Sequence, residues 1–446
     1  MKRIISYYLK QWAKSSYRKP LILKGARQVG KTHVIRQLGS DFESYIEINF
    51  EELPSAINIF ENDINLEHIL SQLSLIAGKK IIPGKTLLFL DEIQVAPRAI
   101  TALRYFFEKM PELHVIAAGS LIDFIMEQIS VPVGRVEFMY MYPLSFVEFL
   151  YAHHESVLIE EILNHQASQA LPETVHKKLL YLFGSYMIIG GMPEVVANWI
   201  FEHDIAQVSS IQQALVDSYQ QDFLKYSKKT QLKYLSLLFE RIPMHQGKQI
   251  KYSSITEDYR KRELAPCLDL LCKAKVVYKI YQTHGNGLPL GAESDREKFK
   301  LLFIDVALSQ KILGLDTKEW LLDQQQQLIN KGYLKESFVG QELLAYAHPS
   351  RQRGLYYWDR NTRGSIAEVD YLVQKNELII PVEVKSSKGN SLQSLRLYLN
   401  SHPKTKFGIR CSEHNYSEFD AVQSYPLYAL AGIFSEDKEG VLQLLS

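Results

Sequence analysis

Gly25-Ala26-Arg27-Gln28-Val29-Gly30-Lys31-Thr32 decides the reading of this chain. The pattern Gly-x-x-x-x-Gly-Lys-Thr is a phosphate loop. Its backbone N–H groups wrap the phosphates of a nucleotide, its lysine reaches the β- and γ-phosphates, and its threonine hydroxyl ligates Mg²⁺. The flanks have the order this chemistry needs. Leu21-Ile22-Leu23 is an apolar run suited to a buried strand, and His33-Val34-Ile35-Arg36-Gln37-Leu38 reads as a helix stopped by Gly39. Strand, glycine loop and helix bring a helix N-terminus to bear on the phosphates.

A second half-site follows. Thr86-Leu87-Leu88-Phe89-Leu90 is an apolar strand that ends in Asp91-Glu92. On a neighbouring strand Asp91 is the expected Mg²⁺ ligand with Thr32, and Glu92 the group that polarises the attacking water. Further strands are expected at 45–49 and 115–118, with a helix at 98–109. Alternation of this kind argues for a parallel sheet covered by helices on both faces. Ser120 follows the strand 115–118 and is a sensor candidate for the γ-phosphate or the water. Its competing reading is a cap for a helix over 121–128. Arg135, in Gly134-Arg135-Val136-Glu137-Phe138, is an arginine-finger candidate for its own subunit or the next. Ser145 and Glu148 form a Ser-x-x-Glu capping box that opens another helix.

With 446 residues, two or three domains are expected. The composition, 46% hydrophobic and 23% charged with a net charge of +1, is that of a soluble globular protein without a global field for nucleic acid or membrane. Met1-Lys2-Arg3-Ile4-Ile5 is basic but lacks the apolar stretch of a signal peptide. No apolar run is long enough to span a bilayer. Cys267, Cys272 and Cys411 suit neither a zinc site nor a disulfide framework, and read as buried fillers. No membrane association and a cytoplasmic location are therefore expected.

The expected organisation is an ATPase-type domain at 1–150, a helical lid or linker at 151–235, a winged-helix-like domain at 236–320 and a further α/β domain at 321–446. Ile188-Ile189-Gly190-Gly191-Met192-Pro193-Glu194 interrupts the helical region with a forced turn. The winged-helix reading rests on helical patterns at 237–242 and 262–274, then strands at 276–281 and 300–305 separated by Thr283-His284-Gly285-Asn286-Gly287-Leu288-Pro289. Lys248, Lys251, Arg260, Lys261 and Arg262 would lie near its reading elements, where they either meet DNA or are simply solvated. Asp305 is expected to cap the following helix. Gln324-Gln325-Gln326-Gln327 is expected on a helix.

The C-terminal region carries another chemical signal. Residues 366–373 and 378–385 read as a hairpin turning at Lys375-Asn376. Residues two apart on a strand share a face, so Glu383 and Lys385 point the same way. An Asp on one strand with Glu-x-Lys on the next is the arrangement of Mg²⁺-dependent nucleases. Asp370 and Glu383 are the expected metal ligands, and Lys385 the residue that activates water or steadies charge on the phosphate. A further acid from an upstream helix completes such sites. Glu342 is the candidate and Glu336 the reserve. The competing reading is a surface salt bridge, and folds of this type also survive as binding modules.

In order along the chain, residues 23–32, Phe89-Leu90-Asp91-Glu92-Ile93-Gln94, Ala118-Gly119-Ser120-Leu121, Gly134-Arg135, residues 143–149, Gly190-Gly191-Met192-Pro193-Glu194, Glu368-Val369-Asp370-Tyr371 and Pro381-Val382-Glu383-Val384-Lys385-Ser386-Ser387 resemble prokaryotic AAA-type ATPases with a C-terminal "domain of unknown function 4143", akin to the archaeal-ATPase group. Ala26 departs from the proline more usual there. The resemblance implies a multidomain α/β protein. It would have a P-loop NTPase module with a parallel sheet, a helical and winged-helix middle, and a restriction-endonuclease-like C-terminal α/β domain. It implies ATP and Mg as cofactors, and AAA-type relatives bring a homo-oligomer into view. The leading expectation is Mg-dependent ATP hydrolysis that gates a nuclease-like, DNA-binding domain. The alternative is a slow nucleotide switch whose C-terminal domain binds a protein partner without cutting. A third is a DNA-binding regulator whose oligomeric state ATP sets.

Overall fold

The structure is a computed structural model that describes all residues except 62–64, 128, 130–133, 316–331, 363–364, 386–391 and 444–446. Gln324–327 and Ser386-Ser387 lie outside the described residues.

The N-terminal sheet has strands β1 (Leu21–Lys24), β2 (Ser44–Asn49), β3 (Thr86–Asp91), β4 (His114–Gly119) and β5 (Glu137–Tyr140) in the order β2-β3-β4-β1-β5. Every pairing is parallel. Every residue of β1, β3 and β4 is buried, which is why these strands read as unbroken apolar runs. The expected strands at 45–49 and 115–118 and helix at 98–109 correspond to β2, β4 and the helix Pro97–Lys109. All parallel strands end at one edge, so the loops after β1, β3 and β4 converge there.

The middle is helical, with Glu173–Ile189, Pro193–Glu202 and Ile205–Tyr226 as its main elements. The helix Phe146–Ala152 starts with the capping box expected from Ser145 and Glu148. Asp305 caps Val306–Ile312 by accepting from the N–H groups of Ala307 and Leu308, and also accepts from Gly191 N at 2.7 Å.

A second, mixed sheet contains β6 (Val277–Thr283), β7 (Ser294–Phe303), β8 (Leu355–Thr362), β9 (Ser365–Lys375), β10 (Leu378–Val384), β11 (Gly408–Ser412), β12 (Ser417–Phe419) and β13 (Val422–Pro426). Its order is β12-β13-β11-β10-β9-β8-β6-β7. This corrects the winged-helix expectation. β6 and β7 do form an antiparallel ribbon, but β6 also pairs in parallel with β8, so the ribbon is the edge of the C-terminal sheet and not a free wing. The expected boundary between 320 and 321 therefore falls inside one sheet. Lys248, Lys251, Arg260, Lys261 and Arg262 are exposed, and Lys261 is paired with Glu297.

One apolar core runs from Ile5 and Leu9 through Leu23, Phe146 and Tyr186 to Leu302, Phe338 and Val382. Backbone contacts reinforce it, for example Tyr140 N donating to Pro349 O at 2.8 Å. Cys267 and Cys411 are buried, whereas Cys272 is half-buried. Among the described residues no helix is long and apolar enough to cross a membrane.

Candidate nucleotide site and a second acidic site

The phosphate loop leaves β1 at the convergent edge of the parallel sheet. A Cβ at Gly25 would lie 2.4 Å from Met141 O, so only glycine fits there. Gly30 has φ 96°, a left-handed conformation that glycine adopts without penalty, and it launches the helix Lys31–Gly39. The Lys31 ammonium folds back over the loop and donates to Gly25 O at 3.0 Å and Ala26 O at 2.7 Å. Burial lowers its pKa to about 8, against the pull of Glu92 and Asp91.

Side chains from far along the chain hold the loop in shape. Arg3 donates to Val29 O at 2.8 Å, to Tyr142 O at 2.7 Å and to Glu148 Oε1 at 2.9 Å. Tyr219 Oη donates to Arg27 O at 2.7 Å, and the Arg27 guanidinium pairs with Asp222, both partners lying on the helix Ile205–Tyr226. Gln28 takes a left-handed φ of 64°.

Thr32 Oγ1 donates to Asp91 Oδ2 at 2.9 Å, so the loop and the end of β3 meet. Asp91 is not on the strand next to β1: β4 lies between them, and the first turn of the Lys31–Gly39 helix spans the gap. Burial raises the Asp91 pKa to about 6, opposed by the Thr32 hydroxyl. Glu92 follows in a left-handed conformation, φ 50°, and its Oε2 accepts from Gln94 Nε2 at 2.5 Å. The Gln94 amide packs against Gly119, where a Cβ would come within 1.9 Å of Gln94 Oε1.

Ser120 follows β4, one strand from both Thr32 and Asp91. It does not cap the next helix, Ile122–Met126, whose cap position is Leu121 with no side-chain bond. Arg135 requires a correction. It precedes β5, at the opposite edge of the sheet from the phosphate loop, and pairs with Glu108 at 3.3 Å. It cannot reach phosphates bound in its own subunit.

The C-terminal hairpin aligns as expected, with Tyr371 on β9 opposite Val382 on β10. Asp370 Oδ2 accepts from Val384 N at 2.7 Å, and Lys385 Nζ lies 2.6 Å from Glu383 Oε1. Glu383 Oε2 is buried without a partner. Lys300, on β7, sends its ammonium into the same space, 2.9 Å from Glu336, 2.5 Å from Glu368 and 4.0 Å from Asp370. Burial opposes the Lys300 charge, but Glu336, Asp370 and Glu368 outweigh it and hold its pKa above the ordinary lysine value. Burial first, then Glu336, pushes Asp370 well above the usual carboxylate range. Burial likewise raises Glu383, against Lys385.

Glu342 is the second correction. It is fully buried, but its carboxylate accepts from Phe146 N at 3.0 Å and 3.2 Å, at the start of the helix Phe146–Ala152. Burial raises its pKa to about 8. Glu336 and Glu342 share the helix Gly332–Ala345, yet six residues turn a helix through roughly 240° net, so the two face different neighbours. The reserve, Glu336, is the acid that faces the hairpin. Lys300, Glu368, Arg3 and Gln94 were not singled out from sequence. For Glu368 a signal existed, since it lies two residues from Asp370 and shares its face of the strand.

Three segments of this chain match known family models. Residues 17–150 match an AAA domain, residues 181–319 a domain of unknown function (DUF8612), and residues 331–430 a domain of unknown function (DUF4143). An uncharacterised protein of Methanocaldococcus jannaschii is 26% identical over 309 residues, 66% of this chain and 63% of that protein. The chain thus matches less than two thirds of that relative's length. Among solved structures, the Walker-type ATPase of Pyrococcus abyssi shares 14% identity over 69% of this chain and 94% of that one, with a TM-score of 0.44. PCH-2 of C. elegans shares 14% over 61% of this chain and 66% of that one, with a TM-score of 0.23. The phosphate loop and Asp91 thus lie joined inside the segment that matches an AAA domain, and the acidic hairpin lies inside the segment that matches DUF4143.

Proposed function

We propose that the protein binds and hydrolyses Mg-ATP at residues 25–32, Asp91 and Glu92, and that nucleotide occupancy gates the C-terminal acidic site. The observation that carries this reading is the 2.9 Å bond between Thr32 Oγ1 and Asp91 Oδ2, which joins two hard oxygen donors beside the phosphate loop. That donor pair fits Mg²⁺, which is commonly bound by few protein oxygens plus substrate phosphates. Bound there, Mg²⁺ would neutralise charge developing on the transferred phosphoryl group.

The chain's own residues supply the rest. Lys31 exchanges its bonds to Gly25 O and Ala26 O for phosphate oxygens. Glu92 orients the attacking water once Gln94 releases it, and Ser120 contacts the γ-phosphate or that water. Arg135 acts only on a nucleotide in another copy, so its role requires a homo-oligomer.

At the C-terminal site, Asp370 and Glu383 would hold a divalent cation, with Lys385 beside them. The unpartnered Glu383 Oε2 supports the fit. A cation there would polarise a phosphodiester and its attacking water, with DNA as the substrate class.

A run of contacts supports gating. Val29 O is held by Arg3, Arg3 by Glu148, and Glu148 caps the helix whose Phe146 N is held by Glu342. Glu342 shares a helix with Glu336 of the acidic site. The slow-switch alternative, with a protein partner, draws on one observation: Gln94 restrains Glu92.

The test is ATP turnover by wild type, Lys31→Ala and Glu92→Gln, with and without duplex DNA. Turnover that both substitutions abolish and DNA stimulates is expected. Tight ATP binding with negligible turnover, unchanged by DNA, would overturn the motor-or-gate reading in favour of the switch.

A further inference from the structure

Four carboxylates converge on the C-terminal site, Glu336, Glu368, Asp370 and Glu383, against two ammonium groups, Lys300 and Lys385. They divide into two groups. Lys300, with no exposed side-chain surface, is engaged by Glu336 and Glu368 and borders Asp370. Glu383 pairs through Oε1 with Lys385, while its other oxygen, in a side chain only 5% exposed, has no partner.

A lone buried carboxylate oxygen is costly and marks a place for a cation or a proton. A buried ammonium ringed by carboxylates meets the same electrostatic need as a metal ion. In two-metal phosphodiester-cleaving sites the ions stand about 3.5–4 Å apart and act as one clamp. Here Asp370 stands between the two groups: Lys300 is 4.0 Å from its Oδ1, and Glu383 is on the neighbouring strand.

We infer that the C-terminal site takes one divalent cation, held by Asp370 and Glu383, and that Lys300 fills the position a second cation would occupy. The inference rests on the metal-binding reading of Asp370 and Glu383. Charge agrees with it. Ionised, the six groups leave two negative charges, which one divalent ion neutralises and two would over-neutralise. So does the ligand supply, which is two carboxylates on adjacent paired strands, Asp370 and Glu383. Mg²⁺ and Mn²⁺ are satisfied by one or two carboxylates with water and phosphate oxygens completing the shell. Because Lys300 lies on β7, upstream of the residues 331–430 that match DUF4143, the site is complete only when the 181–319 segment is present.

The experiment counts Mn²⁺ on full-length, nucleotide-free protein by calorimetry and by the electron paramagnetic resonance of free Mn²⁺. Ions lost on Asp370→Asn are assigned to this site. Wild type should lose one ion by that measure, and Lys300→Met should carry two. One ion in both proteins overturns the inference and leaves the metal reading standing. No C-terminal ion in wild type instead overturns the metal reading itself. Lys300→Met leaves the buried Glu336 and the partly exposed Glu368 without their ammonium partner and can fail to fold, so Glu336→Gln gives an independent test. With Lys300 as the occupant, Glu336 is not a ligand of the bound ion, and the variant keeps the one-ion stoichiometry. Loss of that ion overturns the inference.

Discussion

Replacing Arg3 with methionine removes a guanidinium that joins three segments while keeping most of the side-chain volume. Arg3 is 6% exposed and its partner Glu148 4% exposed. Breaking a buried ion pair from one side costs about 3–5 kcal/mol, because the remaining charge is stranded. Glu148 still accepts from Ile4 N at 2.7 Å and Ser145 N at 2.9 Å, which places the loss near the lower end. Val29 O and Tyr142 O each lose a donor, adding about 0.5–1.5 kcal/mol apiece. The expected destabilisation is therefore about 4 kcal/mol, read as the shift in the urea midpoint multiplied by the unfolding slope. Because Val29 belongs to the phosphate loop, ATP affinity should also fall, on the order of tenfold for about 1.4 kcal/mol of lost preorganisation. Adding Glu148→Gln to Arg3→Met should cost less than the sum of the single changes, since the second removes the stranded charge. A loss under about 1 kcal/mol, or strictly additive costs, would refute the claim that this pair anchors the loop.

Gly119→Ala sets a methyl 1.9 Å from Gln94 Oε1, so the Gln94 amide must leave Glu92. Basal ATP turnover should rise on the order of tenfold at unchanged KM, as for Gln94→Ala, if one hydrogen bond restrains Glu92; unchanged kcat in both variants would remove Gln94 from the mechanism. Glu342, raised to about 8 in the fold, binds its proton more tightly folded than unfolded. Stability should therefore decline as pH rises from the ordinary carboxylate range toward 8. Glu342→Gln should flatten that decline in a series of thermal melts, and an unaltered slope would show that another group causes it.

The nucleotide site was readable because its parts are local. Residues 25–32 fold as one turn between a strand and the helix they launch, and Asp91-Glu92 ends an apolar strand whose burial its composition announces. The Ser145–Glu148 cap and the shared face of Glu383 and Lys385 follow from helix and strand periods in the same way. The Arg3–Glu148 pair spans 145 residues, and nothing near Met1-Lys2-Arg3 distinguishes an anchor from a solvated basic end. Sequence gives the spacing of Glu336 and Glu342 on one helix, whereas packing decides which of them faces the hairpin. Arg135 follows the sensor-like strand in sequence, yet parallel connection returns the chain to the far edge of the sheet before β5 begins. The ribbon of β6 and β7 is visible as two strands, whereas its pairing with β8 depends on sheet order, which no local pattern encodes. That pairing also brings Lys300 to the carboxylates of β9 and β10. Short-range periodicity determined the elements and the phosphate loop. Burial and long-range strand order, which act only once the chain is packed, decided which charges meet.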